Sequence, residues 1–147
     1  MADERTEALK RISLLSSLKD TTLEEIVRCA HWQTVAPGKQ ILLAKDQSTE
    51  VYFLIAGKVR IILYSNEGRP VLFATLVPGE VFGELSAVDG LPRSATVEAL
   101  SESLVVGLSS RDLQRLIRDE PELGLSLLRR LASQVRRLSD RVFEDRK

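Results

Sequence analysis

Val81-Phe82-Gly83-Glu84-Leu85-Ser86-Ala87-Val88-Asp89-Gly90-Leu91-Pro92-Arg93-Ser94-Ala95-Thr96-Val97 is the stretch around which the rest of the chain is arranged. It begins and ends on strand-forming residues. In between it is broken twice: by Gly83-Glu84-Leu85-Ser86, a turn able to begin one helical turn, and by Leu91-Pro92-Arg93-Ser94, which leads back into a strand. A break of this kind brings together what a small anion requires, namely backbone N–H groups, a glycine that allows close approach, and a cation. Glu84 does not suit a bare anion, because a carboxylate beside a phosphate is repelled. It suits a ligand that also carries hydroxyls able to donate to it, so Glu84 and Arg93 together point to a phosphorylated sugar.

On both sides of this stretch, from His31 to about Leu108, short β-rich runs are separated by turn residues. The runs include Gln40-Ile41-Leu42-Leu43, Val51 to Ile55, Lys58 to Tyr64, Val71 to Leu76 and Leu104 to Val106; Pro37-Gly38, Ala56-Gly57, Asn66-Glu67-Gly68 and Pro78-Gly79 punctuate them. That spacing predicts an antiparallel sandwich, jelly roll or barrel over residues 31–108. Residues 1–30 form a helical lead, in which Leu9, Ile12, Leu15 and Leu18 recur at helical spacing. Asp20-Thr21-Thr22 with Glu24 and Glu25 then reads as a capping-box start to a second helix. Helical spacing returns over residues 109–147, first through Leu113, Leu116 and Ile117, then through a long helix opened by Pro121. In that helix Leu128, Leu131, Val135, Leu138 and Val142 make a seam with steps of 3, 4, 3 and 4, the spacing of a two-helix coiled coil. A helix packed only on its own β domain is the other reading of that seam.

The 147 residues suit one domain with short appendages. Lys plus Arg balances Asp plus Glu at 21 each, so no general attraction to nucleic acid or an anionic membrane is expected. A single cysteine, Cys29, excludes an internal disulfide and suits a reducing cytoplasm; it reads as a small core residue. No signal-type or membrane-spanning run is present. One histidine, His31, cannot supply a multi-histidine metal centre, and no nucleophile-elbow sequence accompanies it, so neither an enzyme nor a metal or prosthetic group is expected.

The ordered set Gly83-Glu84-Leu85-Ser86 followed by Pro92-Arg93-Ser94-Ala95-Thr96-Val97 resembles the phosphate-binding cassette of cyclic-nucleotide-binding domains of the Crp/Fnr superfamily. The resemblance implies an α+β fold: N-terminal helices, an eight-stranded antiparallel β-roll with its cassette at 81–97, and two C-terminal helices, the last one long and dimerising. It further implies that Arg93 pairs with the exocyclic oxygens of the cyclic phosphate and that Glu84 accepts from the ribose 2′-hydroxyl. Gly83, Leu85, Ser86, Ser94 and Ala95 would frame the sugar and phosphate, with Gly57 and Gly79 as turn glycines of the roll.

In the family's bacterial regulators a polar residue of the last helix contacts the adenine amino group. Here that region holds Gln134, Leu138 and Ser139. Leu138 departs from the pattern, since leucine cannot hydrogen-bond a purine edge. Base selection then falls to Gln134, Ser139 or apolar stacking, and the Ser94 hydroxyl can reach the amino group of a syn guanine as well as the phosphate; cyclic AMP is the first expectation and cyclic GMP the second. The arginine pairs 129–130 and 136–137 read as solvated flanks of the seam, not as a nucleic-acid patch. Two roles follow: a homodimeric cytoplasmic receptor acting through a protein effector, or the sensory part of a Crp/Fnr-type regulator. The regulator's DNA-reading helix-turn-helix would need several dozen residues after the long helix, so no DNA binding is expected of this chain alone.

Overall fold

The computed structural model describes residues 2–145; Met1, Arg146 and Lys147, which fall in the expected 1–30 and 109–147 segments, lie outside the described residues. Eight strands are described: β1 (His31–Val35), β2 (Gln40–Leu42), β3 (Val51–Ala56), β4 (Val59–Tyr64), β5 (Pro70–Leu76), β6 (Val81–Phe82), β7 (Thr96–Ala99) and β8 (Ser103–Leu108). They pair into two four-stranded antiparallel sheets, ordered β1-β8-β3-β6 and β2-β7-β4-β5. Helices α1 (Ala2–Lys10) and α2 (Asp20–Cys29) precede the strands. A short α3 (Glu84–Asp89) interrupts them, and α4 (Ser110–Asp119) and α5 (Pro121–Asp145) follow. This is the expected α+β roll.

Strands β3 and β8 at the centre of the first sheet are covered on both faces, which is why they are apolar nearly throughout, whereas β1 at its edge is polar and largely exposed. In register, Phe53 faces Val106 and both turn toward the helices, packing with Leu9, Ile12, Leu23, Ile26, Leu113, Leu116 and Leu123. Their neighbours Leu54 and Val105, also paired, turn inward and pack with Val35, Leu42, Val59, Phe82 and Val97 between the two sheets. The helical lead and tail therefore share one core with the outer face of the roll.

Three local expectations change. The run Leu9, Ile12, Leu15 and Leu18 is not one helix: α1 stops at Lys10, Ile12 is extended, and Ser13–Leu15 form a 3₁₀ turn. All four residues are still buried, together with Leu14, because the Ser13 N–H donates to the Gly79 carbonyl at 3.2 Å and docks the turn on the roll. The capping box is absent as well. Lys19 is the N-cap of α2 with no side-chain cap, and Asp20 is the first helical residue, where its charge suits the helix N-terminus and lies 3.3 Å from Lys10. Cys29 is exposed at the end of α2 and not a core residue. By contrast, Ser109 does cap α4, accepting from the Asp112 N–H at 3.0 Å, and Pro121 opens α5 as its missing N–H allows.

Candidate functional site

β6 ends at Phe82 and the chain turns sharply. Gly83 has φ +79°, a left-handed conformation that costs other residues dearly. A Cβ at Gly83 would also sit 2.9 Å from both Arg93 Nη1 and the Glu50 carbonyl oxygen. Glycine is therefore what lets the arginine pass under the turn. α3 follows at once with Glu84 as its first residue, and Gly90, at φ +72°, closes it with its N–H donating to the Ser86 carbonyl at 2.9 Å.

Arg93 lies almost wholly buried, its side chain 2% exposed. Its backbone is clamped to the loop between β2 and β3: its N–H donates to the Asp46 carbonyl at 2.7 Å, and its carbonyl accepts from the Lys45 N–H at 2.8 Å. The guanidinium donates from Nε to Ser48 Oγ at 3.0 Å, from Nη1 to the Gly83 carbonyl at 2.9 Å, and from Nη2 to the Glu50 carbonyl at 2.7 Å. Those contacts use three of five N–H donors and fix the plane of the group, leaving one donor on each terminal nitrogen. Among the described residues its one ion pair is with Glu50, 3.7 Å away, with Asp46 and Glu84 acting on it from further off. Burial is the largest influence on this guanidinium and lowers its pKa from the ordinary arginine range. An anion at the two free donors would offset that desolvation.

Glu84 is also buried, its side chain 8% exposed, and its partner comes from the far end of the chain. Arg130 of α5 donates from Nη2 to the Val81 carbonyl at 2.7 Å and holds its Nε 3.6 Å from Glu84 Oε1. That separation is too long for a hydrogen bond, and the buried Arg130 Nε has no other partner. An orphaned donor therefore stands next to an under-used carboxylate.

Between α5 and the roll lies a cavity of about 420 Å³, within the range of small-ligand sites. Its floor is apolar: Leu42, Ile61, Leu63, Ala74, Leu76 and Val97, all from the second sheet, line it. The register places Ile61 opposite both Ala74 and Val97, so three strands contribute to one inward face. Gly83, Glu84, Leu85, Ser86, Arg93, Ser94 and Ala95 line one end, and Arg130, Gln134, Arg137, Leu138 and Arg141 form the roof. The seven cassette residues expected at the sugar and phosphate, Gly83, Glu84, Leu85, Ser86, Arg93, Ser94 and Ala95, thus border one cavity, as do Gln134 and Leu138. Ser139 is exposed on α5 and does not line it.

Sequence reasoning missed Arg130, which had looked like a solvated flank of the seam, and the Ser48 and Glu50 supports. It also missed the whole apolar floor. No short motif marks these residues, because pairing across strands and the facing of α5 bring them to the cavity. Among the described residues no helix is long and apolar enough to cross a membrane, and no group of three or more His, Cys, Asp or Glu could hold a metal ion.

Fold and cavity define a class: a β-roll with a cavity under its own C-terminal helix, apolar on its floor and carrying a buried arginine and carboxylate at one end. The family model described as the cyclic nucleotide-binding domain matches residues 32–120, well over half of the chain, and the chain belongs to that family. It is 28% identical over 143 residues to a CRP-like cAMP-activated global transcriptional regulator of Mycobacterium tuberculosis, spanning 95% of this chain and 64% of that protein. The chain thus spans less than two thirds of the length of that relative. Among solved structures, the Thermus thermophilus catabolite activator protein superposes with a TM-score of 0.80 at 28% identity, over 88% of this chain and 61% of that one. The N-terminal domain of a Streptomyces coelicolor transcriptional regulator superposes with a TM-score of 0.70 at 33% identity, over 90% of this chain and 95% of that one.

Proposed function

We propose that the chain is a receptor for a cyclic purine mononucleotide, cyclic AMP first and cyclic GMP second, which signals by changing how α5 packs. The observation that carries this reading is the placement of a buried arginine with two free donors and a buried carboxylate at one end of a single apolar-floored cavity. The free Arg93 donors face the exocyclic phosphate oxygens, helped by Ser94 and Ala95, while Gly83, Leu85 and Ser86 frame the sugar. The ribose 2′-hydroxyl bridges Glu84 and Arg130 from the cavity side, donating to the carboxylate and accepting from the orphaned Nε. The purine lies on the Ile61, Leu63 and Ala74 floor, beneath Gln134 and Leu138.

In this proposal residues 31–108, with the 81–97 cassette, are the receptor; 1–30 is its support and 109–147 its output. The chain acts in the cytoplasm as a homodimer through Leu128, Leu131, Val135, Leu138 and Val142 and passes the change to a protein effector. No catalysis and no prosthetic group enter into it. A second reading is favoured by the match of nearly the whole chain to part of a transcription regulator: the same sensor then acts on a further domain that reads DNA.

Calorimetric titration with cyclic AMP and cyclic GMP tests the site. Arg93→Ala removes a charge-assisted contact worth roughly 1.5–3 kcal/mol, so affinity falls about ten- to hundredfold. Unchanged affinity in the variant, or no binding of either nucleotide by the wild type, rules the site out.

A further inference from the structure

Beyond the sugar end, α5 presents a stripe to the cavity: Arg130, Gln134, Arg137, Leu138 and Arg141, one helical face by their spacing. At about 1.5 Å of rise per residue, Gln134 stands about 6 Å and Arg137 about 10 Å along the axis from Arg130, which itself sits beside Glu84. That offset is comparable with the length of a purine nucleoside. The chemistry along it is lopsided. Four arginines line the cavity, at 93, 130, 137 and 141, against two carboxylates, Glu80 and Glu84. Arg130 pairs with Glu84, and Glu80 Oε2 accepts from the Val77 N–H at 2.8 Å. Among the described residues neither Arg137 nor Arg141 has an ion-pair partner.

A guanidinium donates and cannot accept. On this stripe the amide oxygen of Gln134 is the only side-chain acceptor, and Leu138 offers none. The exocyclic amine that distinguishes adenine is a donor and needs an acceptor. Guanine presents O6 and N7 side by side as acceptors, the pair that an arginine fork matches. We infer that Arg137 is a specificity-determining residue that reads the base by donation and admits a 6-oxopurine, as in cyclic GMP, beside the 6-aminopurine whose amine the Gln134 oxygen can accept. This rests on the cyclic-nucleotide reading above. Arg137 is exposed and lines the cavity, and Arg141, a turn further out, adds positive charge at that end.

The test is calorimetric titration of cyclic GMP and cyclic AMP on the wild type, on Arg137→Gln, and on Arg129→Gln, an exposed α5 control outside the cavity. Glutamine restores an acceptor while removing the fork. Arg137→Gln weakens cyclic GMP on the order of tenfold and cyclic AMP by much less, while Arg129→Gln leaves the ratio unchanged. A loss for cyclic GMP no larger than that for cyclic AMP overturns the assignment, because a merely structural or electrostatic role moves both alike. Failure of the wild type to bind either nucleotide refutes the underlying reading instead, and is distinguishable because no ratio can then be formed.

Discussion

At the scale of single residues the site depends on a close passage more than on any one charge. Arg93 reaches the cavity only because Gly83 has no side chain, and its guanidinium is aimed by Ser48 and two carbonyls before any ligand arrives. Preorganised donors of this kind avoid the entropy of ordering a long side chain on binding. Gly83→Ala puts a Cβ against Arg93 and the Glu50 carbonyl on a left-handed backbone. The expected cost is about 1–3 kcal/mol of stability in urea unfolding, together with weaker nucleotide binding as Arg93 is displaced. Gly90→Ala separates the two effects. Its φ is also positive, but a Cβ there meets nothing within 4 Å, so it strains the backbone without touching the arginine. Equal losses of binding in both variants would show that Gly83 matters only for its backbone.

At the scale of elements α5 carries two apolar faces with different duties. Leu123 and Leu127 are buried in the core and Leu131 packs against it, whereas Leu128, Val135, Leu138 and Val142 are 63%, 60%, 55% and 57% exposed. The proposed dimer seam is therefore best probed at Val135, since a charge at Leu131 would also damage the monomer. Val135→Asp gives monomers in sedimentation velocity without loss of thermal stability in the monomer; a persistent dimer counts against the seam. The same helix shows what sequence could reveal. Its length, its proline start and its apolar spacing were legible, as were the strand runs and the turn glycines Gly57 and Gly79, which adopt φ +92° and +101°. Glu84 and Arg93 were legible because the carboxylate and the cation that suit a sugar phosphate fall in one short segment, and both line the cavity. Arg130 was not, because spacing along a helix gives relative angles and not which side meets the roll. The floor residues Ile61 and Ala74 were hidden for a similar reason: only strand register places them together. The absent capping box shows local propensity yielding to packing, with Leu23 and Ile26 setting where α2 lies and Lys19 left at its cap.

At the scale of the molecule α5 has an anchored half, where Leu123, Leu127 and Leu131 join the core shared with the other helices, and a second half that belongs to neither core. Arg115 of α4 pairs with Glu25 of α2, Thr22 donates to Glu120 at the α4–α5 junction, and Gly124 runs so close to Ile117 that a Cβ would lie 2.9 Å from its Cγ2. These ties hold α4 and the first turns of α5 to the helical lead. Beyond Leu131 the helix contributes Gln134, Arg137, Leu138 and Arg141 to the cavity, so a nucleotide lying beneath it adds contacts to this half. A ligand can shift an equilibrium only by its differential affinity for the two arrangements, and here that difference falls on residues 130–142. Hydrogen exchange should therefore show added protection in the amides of residues 130–142 on nucleotide binding and little change in α4 or residues 121–127. Arg130→Ala should leave the phosphate grip largely in place while reducing that protection, since it removes the bridge from Glu84 to α5. Protection spread evenly over α4 and α5, or unchanged by Arg130→Ala, would mean that the helix responds as one rigid body and that the junction at Glu120 is the moving part.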